Sequence, residues 1–590
     1  MLVDVSVPEL SIDSLSYESS VELAEGVRVI VEVGTKKHTG FVLGRSAMSL
    51  PENVKIKSVE GVIDERPAIP ADVWDLALWS GRISMSGTAS ALRAALPVQF
   101  YTGEKVFSSP ENEASNGKFT ERNFFNPLDS ERIKFFLDEL ESGKKVLILF
   151  PRKDDAKSFF LNLPERLKSQ SSFWHSETPK FWSTWKGIYS GRKRIVVAAP
   201  GGVFAPFSPQ KIIVEDEANP AHVIPYTLNL SARSLAGHRA AFLNAEFITA
   251  GRMPSLKTYV RKKPPETLKP DRKNIILADI HNSRKEELQG IEGSIPLTFT
   301  LTSRTHKELA CGRNVIWILN RTGESSEVFC ENCGESVLCQ KCGGTMKSLN
   351  DGEILKCSRC GMLRHLPPKC EKCGFPVLIG KRPGLDALEK IAAKYFPEVH
   401  VFSEGCEISA MKGLILSTTR GLTLCDKISP SLVAWLDLDS ELSRPEHTNR
   451  FNVFKRLLDS YWRGREADSD SDRKLLIQTR RGGLRLAEFL ATGWTRFIRD
   501  ELEVRQEFEL PPFFYIVEIE CSSKKLREKI INLFMDEGFF VMDPGDKSEI
   551  FYVNTESLES VRKILEPEIF RAKKIRNTKK NYINIKVISE

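Results

Sequence analysis

Eight of the twelve cysteines fall between Phe329 and Gly374, and they decide what this stretch can be. They form four Cys-x-x-Cys turns: Cys330/Cys333, Cys339/Cys342, Cys357/Cys360 and Cys370/Cys373. A glycine follows each turn (Gly334, Gly343, Gly361, Gly374). Two thiolates on one tight turn fill two corners of a zinc tetrahedron. The glycine admits a positive φ, so backbone amides can face the sulfurs. Four turns make two four-cysteine sites with no open coordination position, which is the chemistry of structural zinc, not catalytic zinc. The alternative is redox or disulfide chemistry, which four repeats of the same Cys-x-x-Cys-Gly unit disfavour.

The order of closure follows from the segment between the second and third turns. Two short strand-like runs, 345–349 and 353–356, flank Asn350-Asp351-Gly352, a strong hairpin signal. The hairpin brings Cys339/Cys342 against Cys357/Cys360. Cys330/Cys333 and Cys370/Cys373 are left to close an outer site around that ribbon. The expectation is two Zn2+ ions in a nested domain at 329–375.

At 590 residues and 41% hydrophobic content the chain has room for about three to five globular domains. A formal charge of +7 is compatible with a nucleic-acid partner without requiring one. Cys311, Cys406, Cys425 and Cys521 are scattered singly, which fits a reducing cytoplasm. Met1-Leu-Val-Asp-Val has no basic leader, so no signal peptide is expected, and no apolar run reaches the ~18 residues of a membrane span.

Residues 1–104 read as a β-rich domain. The alternating strand 27–33 turns at 34–40, which puts Lys36, Lys37 and His38 at an exposed tip: either a solvated hairpin or a DNA contact. Residues 54–64 read as a further strand and 72–96 as helical. A polar, breaker-rich linker spans 105–127. A helix then begins at Asp129 or Ser130, with Ile133, Phe136, Leu137 and Leu140 on one face. The apolar runs 146–150, 194–199 and 211–215 read as parallel strands of a first α/β lobe at 128–270. Phe181, Trp182, Trp185 and Tyr189 at helical spacing read as core rather than as a base-stacking platform. A second α/β lobe covers 271–328 and 376–496, with strands at 314–319, 399–402, 413–417, 432–436 and 474–478, and the zinc stretch is inserted after the first of these. A final domain at 497–590 carries the basic run 571–580, which is a solvated face or a phosphate contact.

Two tandem α/β lobes suggest a motor of the RecA type. Such a motor needs a Gly-rich loop ending Gly-Lys-Ser/Thr. Gly-Lys occurs at 117–118, 143–144 and 380–381, followed by Phe119, Lys145 and Arg382, so no such loop exists. Glu215-Asp216-Glu217 ends a strand, where a magnesium carboxylate would sit. Without the loop, it reads as a strand end.

Several segments together resemble the PriA family of bacterial primosomal proteins, over nearly the whole chain. The nested cysteines are similar to the family's paired zinc sites. Residues 194–207 resemble its lobe-one segment ending Leu-Phe-x-Pro-Phe. Leu319-Asn-Arg-Thr-Gly323 resembles its Leu-Asn-Arg-Arg-Gly, and Leu436-Asp-Leu-Asp439 its Leu-Asp-Val-Asp. Leu510-Pro-Pro-Phe513 resembles the start of its C-terminal domain, and Gly26, Gly34 and Gly40 match its 3′-end-binding N-terminal domain. The resemblance implies a β-rich DNA-binding domain, two RecA-like helicase lobes, an inserted domain with two four-cysteine zinc sites and an α/β C-terminal domain.

The departures are concentrated in the motor. Aligned on this family, the phosphate-loop lysine falls at Leu128 and its threonine at Asp129, and 105–127 stands where a winged-helix domain belongs. The Asp-Glu-Glu-His box reads Glu215-Asp-Glu-Ala218, and Gly-Ser-Ala-Thr-Pro reads Thr249-Ala-Gly-Arg-Met-Pro254. Gly-Thr-Gln-Met reads Ser417-Thr-Thr-Arg420. Of two late arginines, Arg463 stays and the other becomes Glu466. Glu215, Asp216 and Arg463 are therefore vestiges of a motor. In the N-terminal domain the family's Phe-Asp-Tyr turn reads Leu15-Ser16-Tyr17, so Tyr17 and Lys57 match while the aromatic and the carboxylate do not.

The resemblance thus implies a replication-restart scaffold without helicase activity. It would bind forks or single strands, with single-strand-binding protein, the replicative helicase and its loading factors as partners, in the cytoplasm at the nucleoid. Whether ATP still binds stays open. The rival readings are an ATP-dependent 3′-to-5′ helicase with diverged motifs, and a zinc-ribbon assembly protein that binds no DNA.

Overall fold

The computed structural model describes residues 1–46, 56–103, 117–175, 181–224, 228–280, 282, 297–321, 327–341, 343–349, 353–358, 361–379, 384–402, 411–444, 446–465, 473–480, 484–543, 549–574 and 582–589. The chain is a multidomain α/β protein.

The N-terminal domain is a five-stranded antiparallel sheet. Strand Arg28–Val33 turns at Gly34 (φ +65°) into Lys36–Arg45, as the alternation predicts. The strand expected at 54–64 shrinks to Gly61–Val62 among the described residues. The single helix expected at 72–96 is two, Ala71–Ile83 and Thr88–Ala95. Between them Met85 (φ +56°) and Gly87 (φ +88°) turn the chain, and Asp13 accepts the Ala89 amide at the start of the second helix.

Lobe one is a six-stranded parallel sheet in the order Thr120–Phe125, Glu246–Gly251, Lys211–Val214, Val146–Leu149, Ile195–Ala198, Ser171–Trp174. Its central strands are wholly buried and apolar except for Lys211, which pairs with Glu139, as parallel strands covered on both faces are expected to be. Two expectations need correction. Thr120–Phe125 is the edge strand of this sheet and no part of a linker, because pairing with Glu246–Gly251 engages its backbone, Thr120 and Arg122 stay exposed, and Glu121 is paired with Arg261. In helix Asp129–Glu141 the residue before the first turn is Leu128, Asp129 being engaged elsewhere, and Ile133 faces solvent instead of the core. Phe181, Trp182, Trp185 and Tyr189 do pack in the core.

Lobe two is a second six-stranded parallel sheet, ordered Ile275–Asp279, Lys474–Thr479, Leu432–Trp435, Val315–Ile318, Leu414–Ser417, Val399–Val401. The zinc stretch leaves after Val315–Ile318. Helices Arg485–Thr492 and Trp494–Glu507 pack into this lobe through Phe489, Trp494, Phe497 and Ile498, so the last domain starts nearer Leu510 than 497. It is a four-stranded antiparallel sheet carrying helices Lys524–Asp536 and Leu558–Lys574. Residues 575–581 of the basic stretch lie outside the described residues.

Among the described residues, Met85 of the N-terminal domain packs into the core of the C-terminal domain, and two larger cores also cross domain boundaries. One joins the N-terminal helices (Leu76, Leu92, Phe100) to lobe one (Trp185, Phe204, Leu235). The other joins lobe one (Leu128, Ala218, Met253, Tyr259) to lobe two (Phe454, Leu458, Trp462, Trp494).

Candidate functional site

Three places hold the residues singled out by the sequence: a cysteine centre, the N-terminal sheet and the junction between the lobes.

Strand Phe329–Cys330 pairs antiparallel with Leu378–Ile379, which carries the first cysteine turn to the last. The sulfurs of Cys330, Cys333, Cys370 and Cys373 all lie within 4.8 Å of one another. Cys330 Sγ is 3.6 Å from Cys373 Sγ, and Cys333 Sγ is 3.8 Å from Cys370 Sγ. Zinc–sulfur bonds of about 2.3 Å in a tetrahedron put sulfurs about 3.8 Å apart, so these four residues fit a structural zinc ion. The turn glycines Gly334, Gly343, Gly361 and Gly374 all have φ between +67° and +75°. Their amides close each turn on the first cysteine's carbonyl. The Phe375 amide faces Cys373 Sγ and brings that thiol down to about 6, while burial pushes Cys333 up to about 12.

The hairpin is also present: Met346–Leu349 pairs with Ile354–Cys357, and Leu363–His365 adds a third strand. Cys339 and Cys357 are buried together in its core with Met346 and Leu355. Cys342 and Cys360, the other two expected ligands of the inner site, lie outside the described residues.

The cysteine centre is fastened to lobe two. A side chain at Gly334 would stand 2.9 Å from Asp439 Cβ. Arg480 Nε donates to the Glu331 carbonyl at 3.0 Å, and the Arg480 amide donates to Asp439 at 2.7 Å. Asp437 holds Arg321 at 2.9 Å, and Asn320 accepts from Thr419 Oγ1 at 3.1 Å. Three segments singled out by the resemblance therefore meet in one knot beneath the cysteines.

In the N-terminal sheet, Tyr17 and Lys57 converge on Glu32. The Tyr17 ring is buried and its hydroxyl donates to the Glu32 carbonyl at 3.2 Å. Lys57 Nζ reaches Glu32 Oε1 and the Gly34 carbonyl, both at 2.6 Å, and stays half exposed. Lys37 pairs with Glu60 at 2.5 Å, and Lys36 is exposed. Sequence reasoning missed Asp4, which stands opposite Ser16 on the neighbouring strand and accepts its hydroxyl at 2.7 Å. The period-two alternation of Leu2–Val7 could have placed Asp4 on that face.

At the lobe junction every carboxylate of Glu215-Asp216-Glu217 faces a cation of the chain. Arg132 Nε lies 2.9 Å from Glu215, Lys455 Nζ 2.9 Å from Asp216, and Arg233 Nε 3.2 Å from Glu217. Lys455 and Asp459 sit one turn apart on lobe-two helix Asn449–Trp462 and pair at 2.9 Å. Arg252 of lobe one bridges Asp129 (2.5 Å) and Asp459 (3.3 Å). The Gly464 amide donates across the junction to Asp129 Oδ2 at 2.9 Å. Arg463, the retained arginine, lies between Asp426 at 2.7 Å and Asp155 of lobe one at 3.3 Å. Burial alone would raise Asp129 and Asp216. The Arg252 and Arg132 guanidiniums at Asp129, and Lys455 and Arg252 at Asp216, outweigh it and hold both carboxyls far below the usual range. Burial pushes Glu215 and Asp155 up. Sequence reasoning placed Glu215, Asp216 and Arg463 here but missed Lys455, Asp459 and the role of Arg252.

Residues 3–97 match the family model described as the 3′DNA-binding domain of PriA. Relatives named "Replication restart protein PriA" match most of the chain. The protein from Rickettsia conorii is 24% identical over 91% of this chain and 89% of its own length. That from Haemophilus influenzae is 22% identical over 90% of each chain. That from Bacillus subtilis is 22% identical over 68% of this chain, which spans only 53% of the relative. Among solved structures, RecG bound to a three-way DNA junction aligns at 9% identity and a TM-score of 0.34, over 66% of this chain and 44% of its own. Among the described residues, no helix is long and apolar enough to cross a membrane.

Proposed function

We propose that this relative of the replication restart proteins is a DNA-binding framework that works at stalled forks without a motor of its own. The observation that carries the reading is the combination of a matched 3′DNA-binding domain with lobes that have no phosphate loop and whose three clustered acids face arginine or lysine. An arginine finger is worth about 10³–10⁵ in rate only once phosphates are held, and this sequence has no Gly-Lys-Ser/Thr loop to hold them.

In this reading the N-terminal domain binds fork or single-stranded DNA. Lys57 and Lys36 face the strand, with Lys37 at the rim, while Tyr17, buried in the sheet's core, supports them from beneath through the Glu32 carbonyl and does not itself touch the strand. Asp4 stands where it can take over the lost carboxylate of position 16 and accept the 3′-terminal hydroxyl. Two zinc ions, one on Cys330, Cys333, Cys370 and Cys373 and one on Cys339, Cys342, Cys357 and Cys360, rigidify the inserted domain. That domain docks partners: single-strand-binding protein, the replicative helicase and its loading factors, at the nucleoid of the cytoplasm.

The test is binding to forked DNA across a salt series, with ATP turnover measured in parallel. Backbone neutralisation makes affinity fall steeply with salt. Fork binding without turnover supports the reading. DNA-stimulated turnover would make the protein a diverged helicase, and absence of DNA binding at low salt would make it a zinc-ribbon assembly protein.

A further inference from the structure

We infer that the positions left by the motor now form a permanent clamp between the two lobes, so that this protein has one lobe arrangement that nucleotide neither closes nor opens. A two-lobed motor needs its halves to separate and close around a ligand placed between them. Here the same place is filled by protein. Leu128, where the resemblance puts the phosphate-loop lysine, is 7% exposed, and Ala218, where it puts the histidine, is 8% exposed. Both belong to one apolar core with Phe454, Leu458 and Trp462 of the opposite lobe, as does Met253, which is fully buried.

Around that core the polar groups are crossed between lobes. Lys455 of lobe two puts its ammonium 2.9 Å from Asp216 of lobe one, so a side chain holds the carboxylate that would otherwise face a metal-bound phosphate. Arg252 of lobe one reaches Asp459 of lobe two at 3.3 Å. The Gly464 amide of lobe two donates to Asp129 of lobe one at 2.9 Å. Gly464 is required there: its φ is +68°, and an added Cβ would stand 2.1 Å from the Cys425 carbonyl oxygen. Arg463 adds a fourth crossing, to Asp155 at 3.3 Å. Opening the lobes would strip partners from several buried charges at once. Removing one partner of a buried pair already shifts an equilibrium by roughly 10²–10³-fold.

This goes beyond the loss of hydrolysis, since lobes without catalysis could still close on a bound nucleotide. The experiment uses the zinc-loaded full chain. Small-angle scattering and hydrogen exchange of helix Asn449–Trp462 are recorded with and without Mg-ATP at millimolar concentration, for wild type, Lys455→Met and Lys455→Arg. Wild type is expected to give the same scattering and exchange in both conditions. Lys455→Met should raise exchange in that helix and around Asp216 by tenfold or more, and Lys455→Arg should restore most of the protection. A nucleotide-dependent change in the wild-type radius of gyration would overturn the inference, as would unchanged exchange at the junction in a folded Lys455→Met protein. If Lys455→Met does not fold, the wild-type comparison alone decides. Fork affinity is read separately, and its absence would sink the proposed function without touching the clamp.

Discussion

Arg239 is a side chain whose loss should be felt in two domains at once. It is fully buried, as is its partner Asp72, at 2.6 Å, on the first helix of the N-terminal domain. It also donates to the carbonyls of Val203 (2.6 Å), Ala205 (2.8 Å) and Phe207, which fixes the loop after strand Ile195–Ala198. One guanidinium thus ties the N-terminal domain to lobe one. Arg239→Met keeps the length of the side chain and removes the charge. Stripping one partner from a buried ion pair costs about 3–5 kcal/mol. The freed carbonyls add about 1 kcal/mol more between them, because a loop can rehydrate some of them. The expected loss is about 4–6 kcal/mol, or about 8–24 °C in the first thermal transition at about 2–4 °C per kcal/mol. Differential scanning calorimetry of zinc-loaded protein measures it. Asp72→Asn combined with Arg239→Met should cost less than the sum of the two singles, because each leaves the other's partner stranded. A loss under about 1 kcal/mol for Arg239→Met would refute the reasoning, since buried ion pairs cannot be so cheap to break.

Other outcomes follow from the same contacts. Lys57→Ala or Asp4→Ala should weaken binding to a recessed 3′ end about tenfold or more, and leave a 3′-phosphorylated end nearly unaffected by Asp4→Ala, as read by anisotropy titration. Cys370→Ser should lower bound zinc by one ion per chain in metal analysis and loosen the Arg480–Asp439 contact in hydrogen exchange. Leu128→Lys, which puts back a lysine, should destabilise the protein by about 2–4 kcal/mol rather than restore turnover, since the charge enters an apolar core. Asp129 and Asp216 have folded-state pKa values below the unfolded value of about 3.9. Their contribution to junction stability is therefore complete above about pH 5 and is lost as the pH falls below that value toward their folded pKa, which thermal melts across an acid series would read.

Some of this molecule was plain in its sequence and some was not, for definable reasons. Zinc turns are local chemistry, so the cysteine turns, with the hairpin signal between the inner two, were enough to bring Cys330 and Cys333 together with Cys370 and Cys373. The strands Val146–Leu149, Ile195–Ala198 and Lys211–Val214 are short apolar runs because helices cover both faces of the sheet, and that too is local. Thr120–Phe125 hid because an edge strand tolerates polar side chains, Thr120 and Arg122 in solvent and Glu121 paired with a distant Arg261. The split at Met85 and Gly87 hid because helical periodicity runs across it. Lys455 and Asp459 read as an ordinary charged helix face, since the groups that bury them, Asp216 and Arg252, stand more than 200 positions away in the chain. Asp4 was overlooked because its meaning depends on a strand partner, Ser16, and on a carboxylate missing there.

ATP hydrolysis on forked DNA by the zinc-loaded full chain tests the central claim most directly. Turnover at the level of a protein-free blank, unchanged by added fork DNA and by Glu215→Gln, is the predicted result. Fork-stimulated turnover that Glu215→Gln abolishes would contradict it.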